Sequence, residues 1–206
     1  MKYTYTLLLI ILSFNILAQK PDTTITTKNY KSFINYKLQE PLYVKYILYK
    51  GGGACDRESF NFKNDTKIDI VGAENYTKSG YDKGHLANAE DFAYNCELDE
   101  LTFRYYNCLP QTHNLNAGIW KLWETKIRNL SHSDSLLIIC GGIWQDTTKV
   151  NDMRIPNKCW KITYSIKSKK IIYCQLYTNL YKESSVSDIT LKELQKLLGY
   201  KIKLKY

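Results

Sequence analysis

The chain has 206 residues, of which 29 are Lys or Arg and 20 are Asp or Glu, for a formal net charge of +9. That length suits one domain with a genuine core better than two small ones, and no internal repeat is visible. A basic balance draws polyanions, of which nucleic acid is the commonest large one, but charge alone equally allows weak cell-surface adhesion or mere solubility.

Residues 1–18 carry one charge, Lys2, before an apolar run from Leu7 to Leu17 that ends at the small residue Ala18. This is the layout of a secretory signal peptide, and the run, interrupted by Asn15, is too short to span a bilayer comfortably. Export to the periplasm or the medium is expected, and cleavage would leave 28 minus 20 charges, or +8. No cysteine precedes Cys55, which removes a lipid-modified N-terminal cysteine. Residues 19–36 mix Thr, Lys, Pro and Asp without periodicity and read as a flexible lead-in to one domain over residues 37–206.

Within that domain, Leu42–Tyr49 is rich in β-branched and aromatic residues and stops at Gly51-Gly52-Gly53, as a strand entering a loop does. These glycines lack a following Gly-Lys-Ser/Thr, so they do not form a phosphate-cradling loop. Lys67–Val71 reads as a second strand, and Tyr76–Gly84 as a loop leading to His85. Ile119, Trp120, Trp123, Ile127 and Leu130 recur at helical spacing and predict a helix from about Asn116 to Leu130. Ser135–Cys140 is a buried-strand candidate, and Cys159–Ile166 and Lys170–Tyr177 flank a hairpin turn at Lys167-Ser168-Lys169. Thr190 and Glu193 form a capping box that opens a short helix closed by Gly199. Strands, a central helix and strands again predict an α+β fold.

The six cysteines (Cys55, Cys96, Cys108, Cys140, Cys159, Cys174) are an even set in a chain expected to reach an oxidising compartment, so disulfides are predicted without a choice of pairing. No Cys-x-x-Cys spacing supports zinc. Histidine is the side chain whose intrinsic pKa suits proton abstraction near neutrality, which makes His85 a candidate general base. Downstream, Asn116, Trp120, Glu124 and Arg128 follow at intervals of four, so that an amide oxygen, a carboxylate and a guanidinium fall in a row on one helical face. Such a row suits a hard cation, its water and a phosphate, and it equally describes an N-cap Asn before an ordinary Glu/Arg surface pair.

Three segments in register, Asp82-Lys83-Gly84-His85-Leu86, Asn107-x-x-Pro110-Gln111 and Leu115-Asn116-x-x-x-Trp120-x-x-x-Glu124, resemble the DNA/RNA non-specific endonuclease family, which includes endonuclease G and secreted bacterial nucleases. The likeness extends to Gly141-Gly142, to Arg154-Ile155-Pro156 through Trp160-Lys161, and to the Leu194–Tyr200 helix. It implies a ββα-metal (His-Me finger) α+β fold with a central antiparallel sheet, and metal-dependent hydrolysis of DNA and/or RNA to 5′-phosphate products. His85 then resembles the general base, Asn116 the direct Mg²⁺ ligand (with Mn²⁺ as a substitute), and Glu124 a holder of metal-bound water. Asn107 resembles a residue that supports base and metal ligand by hydrogen bonding, and Arg128, Lys83 and Arg57 resemble phosphate contacts. Lys83 stands where the family usually has Arg, and loses the two-pronged donation to phosphate. The rival readings are a non-catalytic nucleic-acid-binding protein of the same fold, and a cysteine hydrolase using Cys108 and His85; in an exported chain Cys108 is instead expected to be half of a disulfide.

Overall fold

The computed structural model describes residues 20–206, and the expected signal peptide lies outside the described residues. In chain order the elements are β1 (Thr23–Thr26), β2 (Tyr30–Asn35), β3 (Glu40–Leu48), α1 (Ala73–Tyr76), β4 (Asp82–His85), α2 (Cys96–Leu101), β5 (Cys108–Gln111), α3 (Lys121–Ser131) and β6 (Leu136–Ile143). There follow β7 (Lys149–Val150), β8 (Met153–Arg154), β9 (Lys158–Ser165), β10 (Lys170–Thr178), β11 (Val186–Asp188) and α4 (Leu191–Leu198). One sheet of seven strands runs β1-β2-β3-β6-β9-β10-β11, every neighbour antiparallel, which gives the α+β class expected.

The alternation of side chains along the strands sends two apolar sets to opposite faces. Val44, Tyr46, Ile138, Cys140, Cys159 and Tyr177 face the layer that contains Trp120, Ile127, Leu86 and Leu109. Leu137, Ile139, Trp160 and Ile162 face Leu194 and Leu198 of α4 and Ile202 beyond it. The catalytic candidates therefore lie on one face, and α4 closes the other. Its start is the capping box Thr190/Glu193 and its end is Gly199 in the left-handed region at φ 73°, as the sequence predicts.

Several expectations are corrected. Residues 19–36 are not a flexible lead-in: from Thr23 they supply β1 and β2, because Tyr30, Ser32 and Ile34 alternate into the core with no exposure while Lys31 and Phe33 point the other way. Lys67–Val71 is not a strand; Ile70 and Val71 are buried from irregular chain, with the Val71 amide donating to the Gln39 carbonyl. Asp82–Gly84 are not part of a loop leading to His85 but form a strand with it, since β4 pairs with β5. The helix begins at Asn114 as a wide π turn to Trp120, with Gly118 at φ −99°, ψ −111°, before α3 proper.

One disulfide forms, Cys55–Cys96. The other four cysteines are free and buried, so Cys108 is not half of a bridge. Cys108, Cys140, Cys159 and Cys174 all lie on strands and are packed as small core groups.

Candidate active site

Strands β4 and β5 form a two-stranded ribbon in the register Asp82↔Gln111, Lys83↔Pro110, Gly84↔Leu109 and His85↔Cys108. Gly84 is required by close approach: a Cβ there would stand 2.1 Å from Gln111 Oε1. Just past β4, Leu86 N donates to the Asn107 carbonyl at 2.8 Å, and Ala87 N donates to Asn107 Oδ1 at 2.8 Å. Asn107 Nδ2 donates in turn to the carbonyls of Ala87 (2.9 Å) and Thr102 (2.8 Å). A fully buried amide thus rivets the end of the ribbon to the turn after α2, and the expected bonding from Asn107 reaches the base segment through backbone, with no bond to Asn116.

The His85 ring packs between Phe62 and Phe103, with centroids 4.8 Å from each. The residue keeps some solvent contact, yet its Nε2 is sealed and has no hydrogen-bond partner. Burial, then the positive charges of Arg57 and Lys83, push its pKa down to about 3. The ring is consequently neutral over the whole physiological range, with a nitrogen available to take a proton.

The two cations differ. Lys83 is exposed, its Nζ 5.5 Å from the Phe62 ring centroid and 5.8 Å from that of Tyr76. Arg57 is tied down by acids, paired with Glu90 and with the buried Asp99, whose Oδ2 lies 3.0 Å from Arg57 Nε. The Cys55–Cys96 bridge fastens the Arg57 loop to the start of α2 next to these acids.

Asn116 lies in the wide turn, and its Nδ2 donates to Asp82 Oδ2 at 3.0 Å. His113 Nδ1 lies 2.9 Å from the same oxygen. Because the amide nitrogen is committed to Asp82, Asn116 Oδ1 is the atom left to face a ligand. A neutral amide oxygen beside a carboxylate is a donor set for a hard cation. Among the described residues no three His, Cys, Asp or Glu side chains gather into a closed cage.

Behind the helix, Glu124 is buried with Oε1 3.3 Å from Lys161 Nζ, and that ammonium lies 3.8 Å from the Trp120 ring centroid. Burial raises the Glu124 pKa, while Lys161 pulls it back and Asp91 adds to the rise. Arg128 Nε donates to Asp91 Oδ1 at 2.8 Å and its Nη2 to Asn88 Oδ1 at 3.0 Å. Tyr46 donates to the other oxygen of Asp91 at 2.8 Å. The sequence-predicted residues therefore fall into groups: Lys83, His85 and Asn116 around the ribbon, Glu124 and Arg128 in a buried ion network on α3, Asn107 as the rivet, and Arg57 on the flanking loop.

Asp82, His113, Asp91 and Lys161 were not singled out from sequence. Lys161 carries a readable signal, since a charged residue at an inward position of an apolar strand demands a buried partner. Asp82 offers only its place in the motif.

A two-stranded ribbon bearing a neutral histidine, followed by a helix bearing an oriented asparagine, defines the ββα class of site. The sequence profile of the DNA/RNA non-specific endonuclease family matches residues 11–203, and the chain belongs to that family. The mitochondrial nuclease EXOG of Xenopus laevis is 35% identical over 82 residues, 38% of this chain and 23% of that protein. A nuclease of Nostoc sp. is 31% identical over 123 residues (56% and 44%), and human mitochondrial endonuclease G is 30% identical over 93 residues (44% and 31%). The matches thus span under half the length of these relatives. A crystal structure of the EndoG/EndoGI complex shares the fold, with a TM-score of 0.73 at 18% identity over 88% of this chain and 85% of that one.

Proposed function

We propose that this chain is a metal-dependent, sequence-nonspecific endonuclease that hydrolyses the phosphodiester bonds of DNA and/or RNA to 5′-phosphate products. The observation that carries the reading is the pairing of a neutral His85, its Nε2 unpartnered, with an Asn116 whose amide nitrogen is already spent on Asp82. The neutral His85 imidazole takes the proton from the attacking water. Lys83, Arg57 and Arg128 supply positive charge for the phosphate, Asp82 fixes the Asn116 amide, and Glu124, paired with Lys161 in the fold, would be the residue to hold ion-bound water. Asn116 would hold Mg²⁺, or Mn²⁺ in its place, which when bound supplies Lewis-acid polarisation and stabilises the departing 3′ oxygen.

The experiment is incubation of purified protein with plasmid and with RNA, in Mg²⁺ and in EDTA. Degradation in Mg²⁺ that stops in EDTA is expected, while binding without turnover would favour a non-catalytic nucleic-acid-binding protein. Asn116→Ala should raise the Mg²⁺ concentration for half-maximal rate by about tenfold, the scale of losing one oriented metal contact; an unchanged Mg²⁺ titration removes Asn116 from the site.

The cysteine-hydrolase alternative is disfavoured by the state of the thiol. Cys108 is buried, its Sγ 3.5 Å from Tyr76 Oη, and burial pushes its pKa up to about 12, the reverse of an activated nucleophile. Cys108→Ser should retain turnover within about twofold, since it removes only a core sulfur; abolished turnover in a folded variant would revive that reading.

Export is proposed on the layout of residues 1–18, and the Cys55–Cys96 bridge fits an oxidising compartment. Among the described residues no helix is long and apolar enough to cross a membrane.

A further inference from the structure

The wall beside Asp82 and Asn116 carries exposed apolar surface on a rigid base. Asn179 is buried and clamped: its Oδ1 accepts from Thr112 N at 2.8 Å, and its Nδ2 donates to the carbonyls of Pro110 and Pro156, each at 2.9 Å. The next two residues are tied to the same stretch, Leu180 O accepting from Thr112 Oγ1 at 3.4 Å and Tyr181 O from Asn114 Nδ2 at 2.6 Å. Yet the side chains of this anchored segment point outward, leaving Leu180 57% and Tyr181 55% exposed. The Tyr181 ring lies 5.1 Å, centroid to centroid, from that of Tyr81, the residue directly before Asp82. Gly80, at φ +80°, lets the chain pass under the Tyr181 hydroxyl, to which a Cβ would come within 3.0 Å.

A pre-ordered backbone that presents an aromatic ring to solvent has already lost much of the freedom that binding would otherwise cost. The ring stands beside the Asn116 turn, within a basic chain, and Lys182 and Lys83 on the two neighbouring segments are exposed. We propose that Tyr181, with Leu180 beside it, is a stacking subsite for an unpaired nucleobase next to the cleaved phosphate, so that single-stranded or locally opened nucleic acid is preferred. A base in a duplex has both faces covered by its neighbours and offers only edges and phosphates, whereas an unpaired base offers a face to an aromatic side chain. The inference rests on the nuclease reading above.

The test measures binding to the full chain in EDTA, so that no turnover intervenes, by fluorescence anisotropy of a labelled single-stranded oligonucleotide and of a hairpin duplex of the same sequence. Tyr181→Ala and Tyr181→Leu, the latter still covering Tyr81, should each weaken single-strand binding about tenfold, the loss of one stacked base. Duplex binding should change by less than about twofold, since its phosphate contacts remain. Tyr181→Phe keeps the ring and should bind as the parent does. Tyr206→Ala removes an exposed ring that packs with Lys31 away from the site, and should alter neither substrate. Parental single-strand affinity in Tyr181→Leu overturns the subsite, and so does an equal loss on both substrates. A parent chain that neither binds nor degrades nucleic acid overturns the nuclease reading together with it; one that degrades nucleic acid while the Tyr181 variants are indifferent overturns the subsite alone.

Discussion

His85→Ala should lower kcat by about 10²–10⁴-fold, the range for removing a positioned general base, with KM little changed. Nε2 has no partner in the fold, so its removal orphans nothing, and the variant should stay folded with a modest loss of Tm from the gap between Phe62 and Phe103. Steady-state kinetics on plasmid, read beside a thermal melt, check both halves, and near-parental kcat would remove His85 from the reaction. The same residue sets a pH dependence of stability. Its folded pKa of about 3 lies below the ordinary value of 6.5, so the unfolded chain binds the extra proton first. Its contribution to stability is therefore full above pH 6.5 and is lost progressively as pH falls toward 3. In His85→Ala the acid-side fall in Tm should be shallower than in the parent over that window.

Asn107→Ala should be severely destabilising. The substitution strands two buried backbone groups, the amide and carbonyl of Ala87, and costs the Thr102 carbonyl one of its two bonds, the other coming from Arg104 N at 2.9 Å. At about 1–3 kcal/mol for each orphaned group, a loss of roughly 2–6 kcal/mol follows. For a domain of this size that corresponds to a Tm lower by roughly 4–24 °C. Activity should fall even in the cold, because the segment released is the one that leaves His85. Asn107→Asp should rescue poorly, since it keeps the acceptor for Ala87 N but sets a carboxylate against two carbonyls. A Tm within about 2 °C of the parent, less than the loss of a single such bond would give, would show that the rivet is dispensable.

What was legible in the sequence was largely what local chemistry writes. The Thr190/Glu193 box and Gly199 mark α4, the apolar stripe from Ile119 to Leu130 marks α3, and alternation marks β9 and β10. The motif residues His85, Asn107 and Asn116 could be selected because their order and spacing resemble a family. Their partners are non-local, and spacing does not report them. Asp82 meets Asn116 across 34 positions and Lys161 meets Glu124 across 37, so each pair exists only after the sheet has formed. β4 was missed because Asp82-Lys83-Gly84-His85 has no β-branched residue and takes its pairing from β5. The wide turn at Gly118 was missed because the i+4 spacing of Asn116, Trp120 and Glu124 reads as regular helix. β1 and β2 were missed because Lys and Asn flank and interrupt the few inward residues, Tyr30 and Ile34 among them, that hold them to the core.

The single bridge closes a loop across 41 positions, worth about 4 kcal/mol of lost chain entropy in the unfolded state. Inside that loop lie Arg57, Asp82, Lys83 and His85. Its persistence depends on what the other sulfurs are allowed to do. Disulfide exchange needs an attacking thiolate with access to the bridge. Cys108, Cys140 and Cys159 are sealed in the core with thiols raised to about 12, and Cys174 is raised to about 11. The native pairing is thus guarded against scrambling by the same burial that makes the remaining cysteines chemically quiet, and non-native pairings would have to arise before the sheet closes over them.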